Sequence, residues 1–357
     1  MNQYTRDELL KVQLLCFDNP KRANRIINTF PTYSSFESNV SAFISDTIKQ
    51  HQHQSHFKNR LDRLQTLFNK IKAESHKFIS INDSQYPSLL KETATPPVAL
   101  FYAGNISLAS TPQIAVVGSR KSTNYASRVI DTIVTPLLPF FSITSGLAEG
   151  VDTLAHMAAL GNGGSTIAVI GNGIDIIYPL KNKTLYKKII NQGLILSEFP
   201  PGTYGKPHHF PQRNRIVSGL AKSTLVIEAS RKSGALITAY HALDQNRDVF
   251  AIPGPIDSSS SEGCHILIQE GGKLIQSHTD ILNEYQIKTP PTKKMAVTPN
   301  LPQQETIVIK HLSQSPASID HLLQQTQLPI QSLLQSLTIL EVNGFAKRHP
   351  GQQFSLL

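Results

Sequence analysis

Cysteine is scarce in this chain of 357 residues: only Cys16 and Cys264 occur. Two thiols are too few for a disulfide framework or a thiolate zinc site, which points to a reduced compartment. Charged residues are also sparse, at 17% against about 25% in an average globular chain. With 39% apolar residues the chain has ample material for a core and carries too little charge to be globally disordered. No stretch reaches the ~18 consecutive apolar residues that a membrane span needs. The opening MNQYTRDELL lacks the apolar segment of a secretory signal. These absences predict a soluble, cytoplasmic protein with no membrane association, built from two or three domains of the usual ~100–200 residues each.

The charge that is present is unbalanced. Thirty-four Lys and Arg face 25 Asp and Glu, a net +9. That excess suits a polyanionic partner, although basic proteins without one are common.

Residues 1–77 read as helical. Leu9, Leu10 and Val12 open one segment, Asp18-Asn19-Pro20 breaks it, and Ile26, Ile27 and Phe30 fall in the next. Leu61, Leu64, Leu67, Phe68 and Ile71 repeat at helical spacing on a longer element. His51, His53 and His56 lie between, on a polar stretch with no carboxylate nearby, and read as a solvated face with no metal.

From 78 to 285 the texture changes. The short apolar runs Ile114–Val117, Phe141–Thr144, Thr166–Ile170, Leu194–Ser197, Thr224–Ile227 and Val249–Ile252 alternate with helix-length connectors. This predicts an α/β fold, an extended Rossmann-like, doubly wound parallel sheet covered on both faces. Residues 286–303, rich in Pro, Thr and Lys, read as a linker. Residues 304–357 then offer three helices, with Gly344 and Pro350-Gly351 bracketing the wing of a winged helix-turn-helix.

In a doubly wound sheet, ligands sit beyond the carboxyl ends of the strands. The first run ends in Gly118-Ser119-Arg120-Lys121, where a helix start and a cation predict a phosphate cradle. The following strand ends carry Ser145-Gly146, Gly171-Asn172-Gly173 and Ser233-Gly234, so glycine-bearing turns along one edge point to a long groove. In Phe210-Pro211-Gln212-Arg213-Asn214-Arg215 two arginines sit at a helix start, opposing its dipole. Either a bound anion offsets that cost, or one arginine pairs with Glu198 or Glu228 and locks the helix to the sheet. Lys181 and Lys183 add charge beyond Tyr178-Pro179. Asp152 and His156 share a helix face but have no nucleophile in reach, and read as a cap and a packed histidine.

Nucleotide fingerprints are missing: there is no G-x-x-x-x-G-K-[ST], no third glycine after Gly171-Asn172-Gly173, and no G-x-S-x-G elbow. No cofactor is therefore expected. Charge locates the partner. Residues 113–255 hold fourteen Lys/Arg against eight Asp/Glu, or +6, whereas 304–357 hold three of each, or zero. The helix that would enter a major groove presents Gln331, Ser332, Gln335, Ser336 and Thr338 and no cation. Phosphate neutralisation supplies most non-specific affinity, so the sheet domain is the better nucleic-acid binder.

Taken in order, Val117-Gly118-Ser119-Arg120, Ser145-Gly146-Leu147-Ala148, Ala155-His156, Tyr178-Pro179, Ser197-Glu198, Phe210 to Arg215, Glu228-Ala229, Leu236 to Ala239, Val249 to Gly254 and Gly263-Cys264 resemble the DNA-processing protein A (DprA/Smf) family. The resemblance covers roughly 78–285; the helical N-terminus and the winged helix fit longer members, whose first domain is sterile-alpha-motif-like. It implies a non-enzymatic, homodimeric protein that binds single-stranded DNA and loads the RecA recombinase onto it in natural transformation, displacing or working beside single-strand-binding protein. By resemblance, phosphates would meet Gly118, Ser119, Arg120, Lys181 or Lys183, and Asn214 with Arg213 and Arg215, with Ser233-Gly234 a further contact. Bases would stack on Phe210, Tyr125 or Tyr178. Ile266, Ile268 and Leu274 offer an apolar dimer surface. Glu149 and Leu180 stand where many members carry basic residues, and Ala235 replaces a usual serine. Two rivals remain. One is a Rossmann-like nucleotide-processing hydrolase, weakened because 230–238 has no glycine pair and no following acid. The other is a duplex-binding regulator acting through the winged helix.

Overall fold

A computed structural model describes residues 3–47, 51–287, 303–313, 316–349 and 351–356. The chain divides into two units, Met1–Ile287 and Lys288–Leu357. Residues 288–302, which make up nearly all of the expected linker, lie outside the described residues, as do the side chains of His51 and His53.

The first unit is organised by a nine-stranded sheet in the order β1-β2-β6-β5-β4-β3-β7-β8-β9. The strands are β1 (Phe78–Ser80), β2 (Ala99–Gly104), β3 (Gln113–Val117), β4 (Ser142–Ser145), β5 (Thr166–Ile170), β6 (Leu194–Ser197), β7 (Ser223–Val226), β8 (Asp248–Ala251) and β9 (Lys273–Leu274). From β6 across to β9 the pairing is parallel, and β2 and β1 extend it by antiparallel pairing. Each expected run occupies one of these parallel strands. Every residue of β3 to β7 is buried, as a sheet covered on both faces requires. Alternation sorts the side chains: Ile114 and Val116 enter one core, Ala115 and Val117 the other. The chain steps outward from β3 through β6, then crosses to the far side of β3 for β7. That reversal opens a crevice beyond the carboxyl ends of β3 and β7.

The N-terminal helices are Arg6–Cys16, Pro20–Thr29, Tyr33–Ser38, Val40–Thr47 and His51–Ala73. Asn19 caps the second, and Pro20 takes its first turn, where a missing N–H costs nothing. Their Leu9, Leu14, Ile26, Phe36 and Phe57 share one core with Phe101, Leu194 and Leu196 of the sheet. Gln13 reinforces the seam by donating from Nε2 to the Glu198 carbonyl at 2.9 Å.

The second unit has helices Gln303–His311, Ile319–Thr326 and Ile330–Val342. They accompany a sheet of β10 (Ala317–Ser318), β12 (Gln353–Leu356) and β11 (Ala346–His349), paired in that order. Val308, Leu322, Leu333, Leu337 and Phe354 form its core. This is a winged helix.

Candidate functional site

The crevice beyond β3 and β7 continues along the strand ends toward β5. Two adjoining hollows of about 310 and 250 Å³ share Arg120, Lys121, Gly146, Ala148, Phe210 and Arg213. The first is closed by Asn214, Ser233 and Gly234, the second by Tyr178, Glu149 and Asn172.

Arg120 and Lys121 are exposed on the β3 turn, and no acid pairs with either among the described residues. The Arg120 guanidinium lies 5.7 Å from the centre of the Phe210 ring. Phe210 in turn meets the half-exposed Tyr178, ring centres 5.5 Å apart. Cation and aromatic pair thus sit where the two hollows join.

The expected phosphate cradle at the β3 turn is corrected by the structure. Thr123 caps the helix Asn124–Val129 by accepting the Tyr125 N–H at 3.1 Å, and Glu228, 2% exposed, holds that cap: its carboxylate accepts the Thr123 N–H at 3.0 Å and the Thr123 hydroxyl at 2.6 Å. An internal anion therefore holds the helix start, and the cations beside it are what remain for a ligand. Gly118 also has a reason other than ligand approach. A Cβ there would lie 2.6 Å from Cγ2 of Val151, so its absence lets the helix Val151–Gly161 close on β3.

Arg213 forms the floor. Only 3% exposed, it donates from Nη1 to the carbonyls of Gly146, at 2.6 Å, and Val169, joining the ends of β4 and β5. A Cβ on Gly146 would collide with this guanidinium, which explains the glycine. Burial pulls Arg213 down to about 10, so it stays charged at neutral pH. Asp152 supplies countercharge and accepts the amides of Gly146 (3.1 Å) and Ala148 (3.2 Å), while burial pushes its carboxyl upward. His156 is fully buried, 2.7 Å from the Thr166 hydroxyl at Nδ1, and burial drives it down to about 3. His156 is the packed histidine the sequence suggests, whereas Asp152 is not the helix cap: Gly150 holds that position, and the Asp152 carboxylate instead ties down the turn after β4.

Three further expectations change. Arg215 faces away from the crevice and pairs with buried Glu198, donating also to the Thr95 carbonyl at 2.6 Å. It locks its helix, His209–Leu220, to the sheet and is not placed to meet a phosphate. Ser145 is fully buried and bonds the Val116 carbonyl at 2.6 Å, so its hydroxyl does not reach the groove. Tyr125 donates its hydroxyl to the Pro253 carbonyl and packs its ring on the core, which removes it as a stacking platform.

Ser119, Asn214, Ser233 and Gly234 do line the crevice. Ser233 caps the helix Gly234–Asp244 by accepting the Ala235 N–H at 3.2 Å, and Asn214 reaches the Gly234 carbonyl at 3.4 Å. Lys181 is exposed but paired with Glu149 at 2.9 Å, whereas Lys183 is exposed and lines neither hollow. Ile237 and Thr238, of the Leu236 to Ala239 motif, also line the first hollow, although no DNA contact is expected of them from sequence. Their spacing from Gly234, three and four residues on, places all three on one helix face.

Of the apolar trio expected at a dimer surface, Ile266 and Ile268 are half-buried, Ile268 against the core. Leu274 is exposed on edge strand β9. In the winged helix Ser336 is buried against Glu305, at 3.4 Å, so it leaves the set facing a groove. Among the described residues no group of His, Cys, Asp and Glu is arranged for a metal ion, and no helix is long and apolar enough to cross a membrane.

Comparison with known proteins agrees with this architecture. Residues 77–286 match the model of the family described as DNA recombination-mediator protein A, and 291–352 that of the DprA winged helix domain. DNA processing protein DprA of Streptococcus pneumoniae is 49% identical over 218 residues, covering 60% of this chain and 77% of that protein. A solved structure of DNA processing protein A from Streptococcus pneumoniae superposes with a TM-score of 0.68 at 38% identity, covering 80% of this chain and 99% of the other. A structure of the Helicobacter pylori protein, described for its single-stranded DNA binding mode, gives 0.54 at 28% identity over 59% of this chain and 96% of that one. Fold, ordered motifs and matched span together place the chain in the DNA recombination-mediator protein A family, a family of DNA-processing proteins.

Proposed function

We propose that this chain binds single-stranded DNA in the switch-point groove and presents it to the RecA recombinase during DNA uptake. The observation that carries the proposal is the junction of the two hollows, where unpaired Arg120 and Lys121 stand beside the Tyr178–Phe210 pair. Cations track a phosphate backbone, and exposed rings accept unstacked bases that a duplex keeps hidden. The binding mode described for the Helicobacter pylori protein supports the same ligand here.

The phosphate contacts proposed are Arg120 and Lys121, with Ser119, Asn214, Ser233 and Gly234 facing the same groove. Lys183 adds positive charge outside the two hollows, while Lys181 is offset by Glu149. Arg213 acts from beneath, through its charge and by holding Gly146. The role proposed is binding and presentation rather than catalysis. A homodimer through Leu274 and its neighbours Ile266 and Ile268 would hold two strands at once and raise their effective concentration. Sedimentation of wild type and Leu274→Asp tests that surface, and an unchanged mass for the variant refutes it.

RecA-dependent strand exchange on DNA coated with single-strand-binding protein tests the whole reading. Wild type should relieve the block, and Arg120→Ala with Lys121→Ala should not. Equal relief by both proteins would remove the groove from the function.

A further inference from the structure

A second cationic hollow lies in the same unit, where the N-terminal helices meet the loop that leads to Phe210. Two adjoining cavities of about 220 and 500 Å³ share Asp18, His56, Arg60 and His208. Arg22 lines the smaller and Lys206 the larger. Arg22 is the unusual member. It is only 8% exposed, its Nε has no hydrogen-bond partner, and no acid pairs with it among the described residues. Its guanidinium rests 5.5 Å from the centre of the Phe57 ring. Arg60 pairs with Asp18 at 2.9 Å, yet its Nε is likewise unsatisfied.

A buried guanidinium without a countercharge is costly. The single carboxylate present, Asp18, is engaged by Arg60, so the cavity holds more positive than negative charge. It also opens to solvent through exposed His56, Lys206 and His208. This is a site short of an anion.

We propose that the cavity is a second phosphate site, taking a backbone phosphate of a nucleic-acid strand that runs on from the switch-point groove over Phe210. The link is covalent and short. His208 lines this cavity and Phe210, two residues later, lines both hollows of the groove. The proposal rests on the single-strand reading for its ligand, but the anion site itself can be tested without it.

The test uses the full chain with Arg22→Gln and His208→Ala, the second at an exposed position that leaves the core intact. Labelled oligothymidylates of about 6 and about 30 nucleotides are titrated over a salt series. The long strand should bind roughly tenfold more weakly to each variant. In Arg22→Gln its log-affinity slope against log salt should also flatten by about 0.7 for the lost cation. The short strand should bind as in wild type. Long-strand affinity and slope unchanged in both variants overturn the proposal. Pyrophosphate, titrated by calorimetry into Arg120→Ala, separates the two claims. Heat that disappears when Arg22→Gln is added supports the anion site even if no strand binds. The same result with full long-strand binding in Arg22→Gln and His208→Ala assigns the cavity to a free phosphate compound and overturns the strand as its source.

Discussion

Acid should loosen the frame behind the groove through one histidine. His156 is buried neutral between the Val151–Gly161 helix and β5, and its affinity for a proton falls from the ordinary 6.5 to about 3. A group depressed on folding contributes stability that is complete above its unfolded value and is lost as pH falls toward its folded value. Between about pH 6.5 and 3 unfolding therefore takes up close to one extra proton, a slope of about 1.4 kcal/mol per pH unit. Integrated from pH 7 to 5, the loss is about 2 kcal/mol, and to pH 4 about 3 kcal/mol. His156→Gln retains a partner for the Thr166 hydroxyl but cannot titrate. The chain has no tryptophan, so urea melts are best followed by circular dichroism at pH 7, 6 and 5. His209 and His241 are also shifted downward by burial and tilt both curves, so the informative quantity is the difference between the two proteins. Wild type should lose about 2 kcal/mol more than the variant over this range. Parallel curves would refute the argument that His156 is held neutral by the packing.

Other perturbations follow from the same geometry. Glu198→Leu should cost about 3–5 kcal/mol because Arg215 is left buried without its partner, and Glu198→Leu with Arg215→Leu should recover much of it in urea melts. Gly146→Ala should cost about 2–4 kcal/mol by displacing Arg213 from two carbonyls, with single-strand affinity falling alongside stability. Phe210→Ala should weaken single-strand binding by ~1–3 kcal/mol and leave thermal stability nearly unchanged; equal affinity of the variant would remove the stacking platform.

The parallel sheet was legible because its strands are runs such as QIAVV and TIAVI, buried on both faces and bounded by turns. The edges were not. β1 has three residues and β9 two, too short for any periodicity to register, and β2 follows a Pro96-Pro97 pair that reads as loop. At the groove, residue types were readable and their allegiances were not. Arg213 and Arg215 stand two apart on one helix, yet one lies beneath the groove and the other binds Glu198. Only the register of that helix against β4 and β5 decides between them. Glu228 shows the same limit from the other side. A carboxylate 105 residues downstream occupies the helix start that sequence alone offered to phosphate.

The central claim is tested most directly by fluorescence anisotropy of a labelled oligonucleotide, single-stranded against duplex, over a salt series with wild type and Arg120→Ala. The groove predicts preference for the single strand, with a log-affinity slope against log salt that flattens in the variant by about 0.7. Equal or tighter duplex binding, untouched by Arg120→Ala, would contradict the account and move the DNA contact to the winged helix.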